Sequence, residues 1–300
     1  QRCVSFLKRP TLPAYTPLYI VGALLFVIGF ATLLLSGAPS TYIQTPWEAI
    51  PSDYLFVFTA LAFIILAGIF FRPSRFLLYG VVLFTLLQHL YIPGVYRLPY
   101  GGDTWRHSAE VIKIENGTLD EVDHDTVSLG FFTIPGSVLT TPSYGAFWAI
   151  TFFLYKVLAI EILSLNTWWL YILFSVMAPF LIYTLTKVTL ASFTSFRDKE
   201  AFFVSLMASF LPSLFFPMQA YGAVSLPVGL GFCFFLVFLI TVVVALRQPT
   251  KATLALLIIE LIALFFSYVV YFLAALMVLL PIVGMRVSRN LKRPIVQHAY

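Results

Sequence analysis

DYLFVFTALAFIILAGIFFRPSR, residues 53–75, decides the architecture. From Tyr54 to Phe71 it carries no charged residue, and Arg72 and Arg75 close it. At 1.5 Å per residue, a helix of this length crosses a hydrocarbon core of about 30 Å. A bilayer offers no water to backbone N–H and C=O groups, so a helix is the form such a block takes. Its basic end marks a cytoplasmic loop. Working outward, comparable blocks lie at 18–36, 76–92, 167–190, 201–217 and 225–246, and 252–285 is long enough for a helical hairpin turning near Ser267–Tyr271.

Composition agrees. The 300 residues are 60% hydrophobic and 10% charged, with a mean hydropathy of +0.94; soluble domains carry about 25% charged residues. No alternating strand pattern suggests a barrel. The expected fold class is all-α, a polytopic membrane bundle of about eight transmembrane helices with a long extracytoplasmic loop that contains juxtamembrane helices. Three units follow: 1–92 with three transmembrane helices, the loop 93–166, and 167–300 with the remaining helices. Lys8 and Arg9 before 18–36 imitate a signal peptide, but the block is long for one and reads as the first span. Starting at Gln1 without Met and stopping soon after a basic cluster, the chain reads as a piece of a longer protein.

The net charge of +5 does not point to nucleic acid, because Lys and Arg cluster beside the apolar blocks. Cys3 and Cys233 are too few and too distant for a disulfide framework or a metal site. The difficult block is 146–163, apolar but carrying Lys156 and Glu161. If it does not cross, only Arg97, Arg106, Lys113 and Lys156 of the 18 Lys and Arg fall outside. If it does cross, the clusters at 197–199, 247–251 and 286–293 all flip outward. It is therefore expected to be a re-entrant or interfacial helix ending the outer loop.

That loop holds eight of the 13 acids, Asp103, Glu110, Glu115, Asp120, Glu121, Asp123, Asp125 and Glu161, together with His107 and His124. Its stretch GGDTWRHSAEVIKIENG, residues 101–117, reads as a short amphipathic helix with Asp103 as N-cap and Gly117 at C′. Asp103, His107 and Glu110 then share one face, while Val111, Ile112 and Ile114 face the membrane. Asp103 would act as general base on a substrate hydroxyl, beside Arg106 and His107. The plain alternative is a capping Asp103 and a packing His107. In LDEVDHDT (119–126), Asp120, Asp123 and Asp125 supply oxygen ligands for a divalent cation, Mg or Mn, although the spacing matches no EF-hand and such loop tips are commonly just solvated. Asn116-Gly117-Thr118 is a glycosylation sequon read here as a turn. In FPMQAYGAVSLP (216–227), Gln219 and Tyr221 would line a membrane-level groove. Intramembrane Glu260 is a functional or a hydrogen-bonded structural group. Trp168 and Trp169 read as an aromatic belt.

Asp103-Thr104-Trp105-Arg106-His107 in an outer loop resembles the Asp-x-x-x-His pattern of the GT-C class of membrane glycosyltransferases, more narrowly the oligosaccharyltransferase catalytic subunits and their prokaryotic relatives. Pro142 to Lys156 is similar to that family's aromatic juxtamembrane helix, and 167–227 to its following spans and second outer loop. The likeness covers roughly 76–246. It implies transfer of a sugar from a polyprenyl-phosphate donor to an extracytoplasmic acceptor, with Asp103 as base or metal ligand, His107 and Glu110 in support, and Arg97 or Arg106 on the donor phosphate. Membrane lipid and that donor are the implied partners. The second outer loop has no acid and no Trp-Trp-Asp motif follows, which turns the expectation toward a metal-independent relative that transfers a monosaccharide, or toward a remnant without activity. A transporter or lipid-carrier flippase and a non-catalytic assembly subunit are the competing readings.

Overall fold

A computed structural model describes residues 16–36, 50–95, 102–118, 126–129, 132–214 and 226–297. Helices α1 (Thr16–Leu35), α2 (Ser52–Phe71), α3 (Phe76–His89) and α4 (Tyr91–Val95) come first. Next are α5 (Gly102–Asn116), α6 (Gly136–Leu158) and α7 (Ile162–Phe193). The chain continues with α8 (Asp198–Phe210), α9 (Pro227–Arg247), α10 (Lys251–Ser267) and α11 (Val269–Gln297). Between α5 and α6, β1 (Thr126–Leu129) and β2 (Phe132–Pro135) pair antiparallel, Thr126 opposite Pro135 and Leu129 opposite Phe132. The rest of the described chain is almost entirely helical, in keeping with the expected all-α class.

Among the described residues three helices, α2, α7 and α9, are long and apolar enough to cross a membrane. Their surfaces agree with that reading. Phe56, Phe63 and Phe71 on α2, Ile258 and Ile259 on α10, and Met277 and Leu280 on α11 are all at least 60% exposed. An aqueous bundle would bury side chains of this size in such number. The inward faces pack separately: Leu61, Ile65 and Ile69 of α2 meet Val81, Phe84 and Leu87 of α3 and Phe210 of α8.

The expected blocks differ from the helices at several ends. Block 76–92 is broken after His89, where Pro93 in α4 cannot donate to the preceding turn. Block 201–217 tightens into a 3-10 turn at Leu211–Leu214, where Pro212 does the same. Block 146–163 is two pieces, because Ala159 takes a left-handed φ of 53° and α7 begins at Ile162. Residues 162–166 therefore form the start of the long helix. Block 252–285 does break at Tyr268, whose extended backbone (φ −166°) separates α10 from α11. α9 approaches that turn so closely that a Cβ at Gly231 would lie 2.7 Å from the Tyr268 Cβ.

Side-chain pairs fix the directions. His89 Nδ1 lies 2.8 Å from Ser175 Oγ and Tyr79 stands edge-on to Phe180, so α3 runs antiparallel to α7. Leu230 packs with Trp169 and Leu170, and Cys233 with Phe174 and Ala178, so α9 runs parallel to α7. These directions carry Arg72 and Arg75, Lys187, and Arg247 with Lys251 to one common end of the bundle.

At the end of α5 the expectation holds in detail. Gly117 has φ +69°, its N–H reaches Ile114 O (3.2 Å), and the Thr118 N–H reaches Lys113 O (2.9 Å). These are the two bonds of a Schellman cap. Gly117→Ala should cost roughly 1 kcal/mol, because only glycine takes this φ without a Cβ clash. A drop in thermal unfolding temperature, absent in the neighbouring Asn116→Ala, checks it.

Candidate functional site

Helix α5 presents three kinds of surface. Thr104, His107, Ser108 and Val111 are buried; Asp103 and Arg106 are exposed on one flank; Trp105 and Ile112 are exposed on the other. Helical periodicity makes the division, since 104, 107, 108 and 111 follow the i, i+3, i+4, i+7 rule. Two expectations are corrected here. The helix starts at Gly102, which places Asp103 inside its first turn rather than at the cap. Val111, expected toward lipid, is wholly buried against Phe147, Trp148, Ile162 and Leu170, because α6 and α7 supply a packed apolar surface that α5 completes.

Two hydrogen bonds from neighbouring helices, one given by an indole and one by an amide that a second indole orients, hold the helix down. Trp148 Nε1 of α6 donates to His107 Nδ1 at 3.1 Å. Trp169 Nε1 of α7 donates to Asn166 Oδ1 (3.1 Å), Asn166 Nδ2 donates to Ser108 Oγ (2.8 Å), and that hydroxyl donates to Thr104 O (2.8 Å). Buried polar groups require such partners, and a connected chain of them specifies one docking geometry. Phe147 stands between His107 and Trp169, its ring 5.5 Å from each. The reading of Trp169 as belt alone is thereby corrected. At the far end, Lys156 Nζ donates to Glu115 Oε1 at 3.2 Å, and the Tyr155 hydroxyl donates to the same oxygen. That hydroxyl, and then Lys156, hold the Glu115 carboxyl below its usual range.

His107 meets Tyr144 and Trp148 while Glu115 meets Tyr155 and Lys156, so α5 and α6 run side by side in the same direction. The Asp103 end thus lies at the Tyr144 end of α6. Tyr144 in turn neighbours Tyr268 (6.2 Å) at the α10–α11 turn, so Asp103 sits where α5 meets the end of the bundle.

His107 is buried against the rings of Tyr144, Phe147 and Trp148. Burial among rings pushes its imidazole down to about 4, against the charge of Asp103 and aided by that of Arg106. With Nδ1 accepting from Trp148, the neutral ring carries its proton on Nε2. The sign of the pH effect follows. The unfolded chain binds this proton near pH 6.5 and the folded one only near 4, so stability falls as pH drops through that window. The loss should reach about 3 kcal/mol by pH 4, and His107→Phe should flatten the thermal-unfolding profile between those pH values.

Glu110, the third expected member, is engaged elsewhere: Lys113 Nζ lies 3.1 Å from its Oε1. Glu260 is buried and accepts from Thr241 Oγ1 at 2.7 Å, joining α10 to α9. Arg97, the metal candidates Asp120, Asp123 and Asp125, and Gln219 and Tyr221 lie outside the described residues. Among the described residues no three His, Cys, Asp or Glu gather as a metal site. A cavity of about 470 Å³ lies between α1, α2 and α3 and a smaller one of about 10 Å³ between α3, α7 and α8; Asp103 lines neither. Sequence reasoning missed Trp148, Asn166 and the Glu115–Tyr155–Lys156 group, whose role depends on residues about 40 or more positions away. Neither a family model, nor a curated protein, nor a solved structure matches this chain.

Proposed function

We propose that the protein is a membrane glycosyltransferase that moves a sugar from a polyprenyl-phosphate donor to an acceptor on the extracytoplasmic face, with Asp103 as general base. One observation supports this most: an exposed carboxylate, flanked by exposed Arg106, on a helix locked to the bundle by the Trp148–His107 and Asn166–Ser108 hydrogen bonds. Catalytic geometry requires that rigidity, since a base acts only when held within hydrogen-bond reach of its proton. A donor whose phosphate is tethered at headgroup depth by its lipid tail would meet Arg106 there. His107 is a positioning residue in this scheme, neutral and buried, and Glu110 only pairs with Lys113.

The reading requires eight crossings, α1, α2, α3 with α4, α7, α8 with its 3-10 turn, α9, α10 and α11, and the segment 93–166 on the outer face. The gathering of Arg72, Arg75, Lys187, Arg247 and Lys251 at one end supports that orientation by the positive-inside rule. Sugar release from a radiolabelled polyprenyl-phosphate donor, abolished in Asp103→Asn, tests the chemistry. A membrane-impermeant thiol reagent labelling single cysteines at 106 and 161 but not at 75 or 251 tests the sidedness.

A second reading has its own support. Thr85, Gln88, Ser175, Ser205, Ser209 and Ser213 are buried polar residues on α3, α7 and the broken end of α8, and Gln88 Nε2 donates to Ser213 O. Broken helices with buried polar groups are a transporter's construction. Solute flux in proteoliposomes without covalent transfer, lost in Gln88→Leu and retained in Asp103→Asn, would favour it.

A further inference from the structure

The crevice between α1, α2 and α3 has a volume of about 470 Å³ and is lined by Gly22, Ala23, Leu61, Ile65, Tyr79 and Gly80 among others. Its width comes from missing side chains: a Cβ at Gly22 would stand 3.8 Å from Leu61, and one at Gly80 3.7 Å from Ile65, so neither glycine is forced by contact. A volume of this size is that of a small-molecule site, which falls at about 300–1,000 Å³. Its walls are hydrocarbon, so the occupant is a chain of the same kind.

Charge lies next along the chain from its lining residue Phe76. Arg75 is one turn before Tyr79 on α3, and Tyr79 stands 5.9 Å from Phe180 of α7. One turn along α7, Tyr183 lies within the field of Arg75, and Lys187 Nζ sits 5.7 Å from the Tyr183 ring centroid. Arg75 and Lys187 are exposed, and among the described residues neither is ion-paired with a carboxylate. Two cations beside an apolar crevice at the basic end of a bundle match a phosphate on a hydrocarbon tail. In lipid, apolar contact alone selects nothing, because every neighbour is equally apolar. Selection comes from the charged head.

We infer that this crevice binds one anionic glycerophospholipid, an acyl chain lying along Gly22 and Gly80 and the phosphate resting between Arg75 and Lys187. The site is separate from Asp103 and stands whether or not the chain transfers sugar.

The test reconstitutes the full chain in nanodiscs of equal phosphatidylglycerol and phosphatidylcholine, then counts lipids retained after detergent washing by native mass spectrometry. One phosphatidylglycerol should remain on the unmodified chain. The pair Arg75→Gln with Lys187→Gln should lower that retention roughly tenfold or more, whereas Lys251→Gln, another cation at the same end, should leave it. Gly80→Leu, which fills the crevice, should abolish retention of either lipid. Equal retention after the double substitution, equal loss with Lys251→Gln, or retention unchanged in Gly80→Leu overturns the inference. If Gly80→Leu does not fold, the exposed pair decides alone.

Discussion

Asp103→Asn should reduce sugar transfer by roughly 10²–10⁴-fold, the range over which a positioned general base acts. The side chain is exposed, so its amide leaves the docking of α5 intact. The change forfeits only a favourable charge in the first helical turn, worth about 0.3–1 kcal/mol. The loss should therefore appear in kcat with the unfolding temperature nearly unchanged. Activity equal to that of the unmodified chain removes Asp103 from the chemistry. A loss confined to KM would instead make the carboxylate a binding group.

Phe147→Ala should destabilise the α5–α6–α7 corner by about 3–5 kcal/mol, the cost of deleting a fully buried aromatic side chain. Phe147 has no exposed surface and stands against both His107 and Trp169, so its loss opens a void beside the Trp148–His107 and Asn166–Ser108 hydrogen bonds that dock α5. The consequence should travel: transfer should fall with stability, because Asp103 loses its fixed position. Phe153→Ala is the control, at 63% exposure on the same helix, and should change stability by no more than about 0.5 kcal/mol. Thermal unfolding of both variants in one detergent separates them. Equal melting temperatures would show that α5 is not held by this corner.

Several features were legible in residue order alone because their causes are local. The apolar block before Arg72 is a helix because a bilayer leaves the backbone no other partner. Gly117 ends α5 because the cap needs a positive φ, and Tyr268 falls inside the stretch where a turn was expected. Other features were not legible. The side of α5 that Val111 faces depends on α6 and α7, which reach it from well beyond its own segment. Pro93 and Pro212 cut blocks that hydropathy counts as continuous, because a missing N–H does not change apolarity.

By itself, then, the sequence determined a helical membrane protein, the clustering of its basic residues, and one ionisable segment around Asp103. Hydrophobicity and backbone hydrogen bonding act within a single helix and can be read from order. Only the tertiary structure decided that His107 is a neutral packing residue, that Trp148 and Asn166 anchor the helix, and that Arg75 and Lys187 come to one end of the bundle. Burial and hydrogen-bond pairing are properties of neighbours in space, and here those neighbours come from different helices.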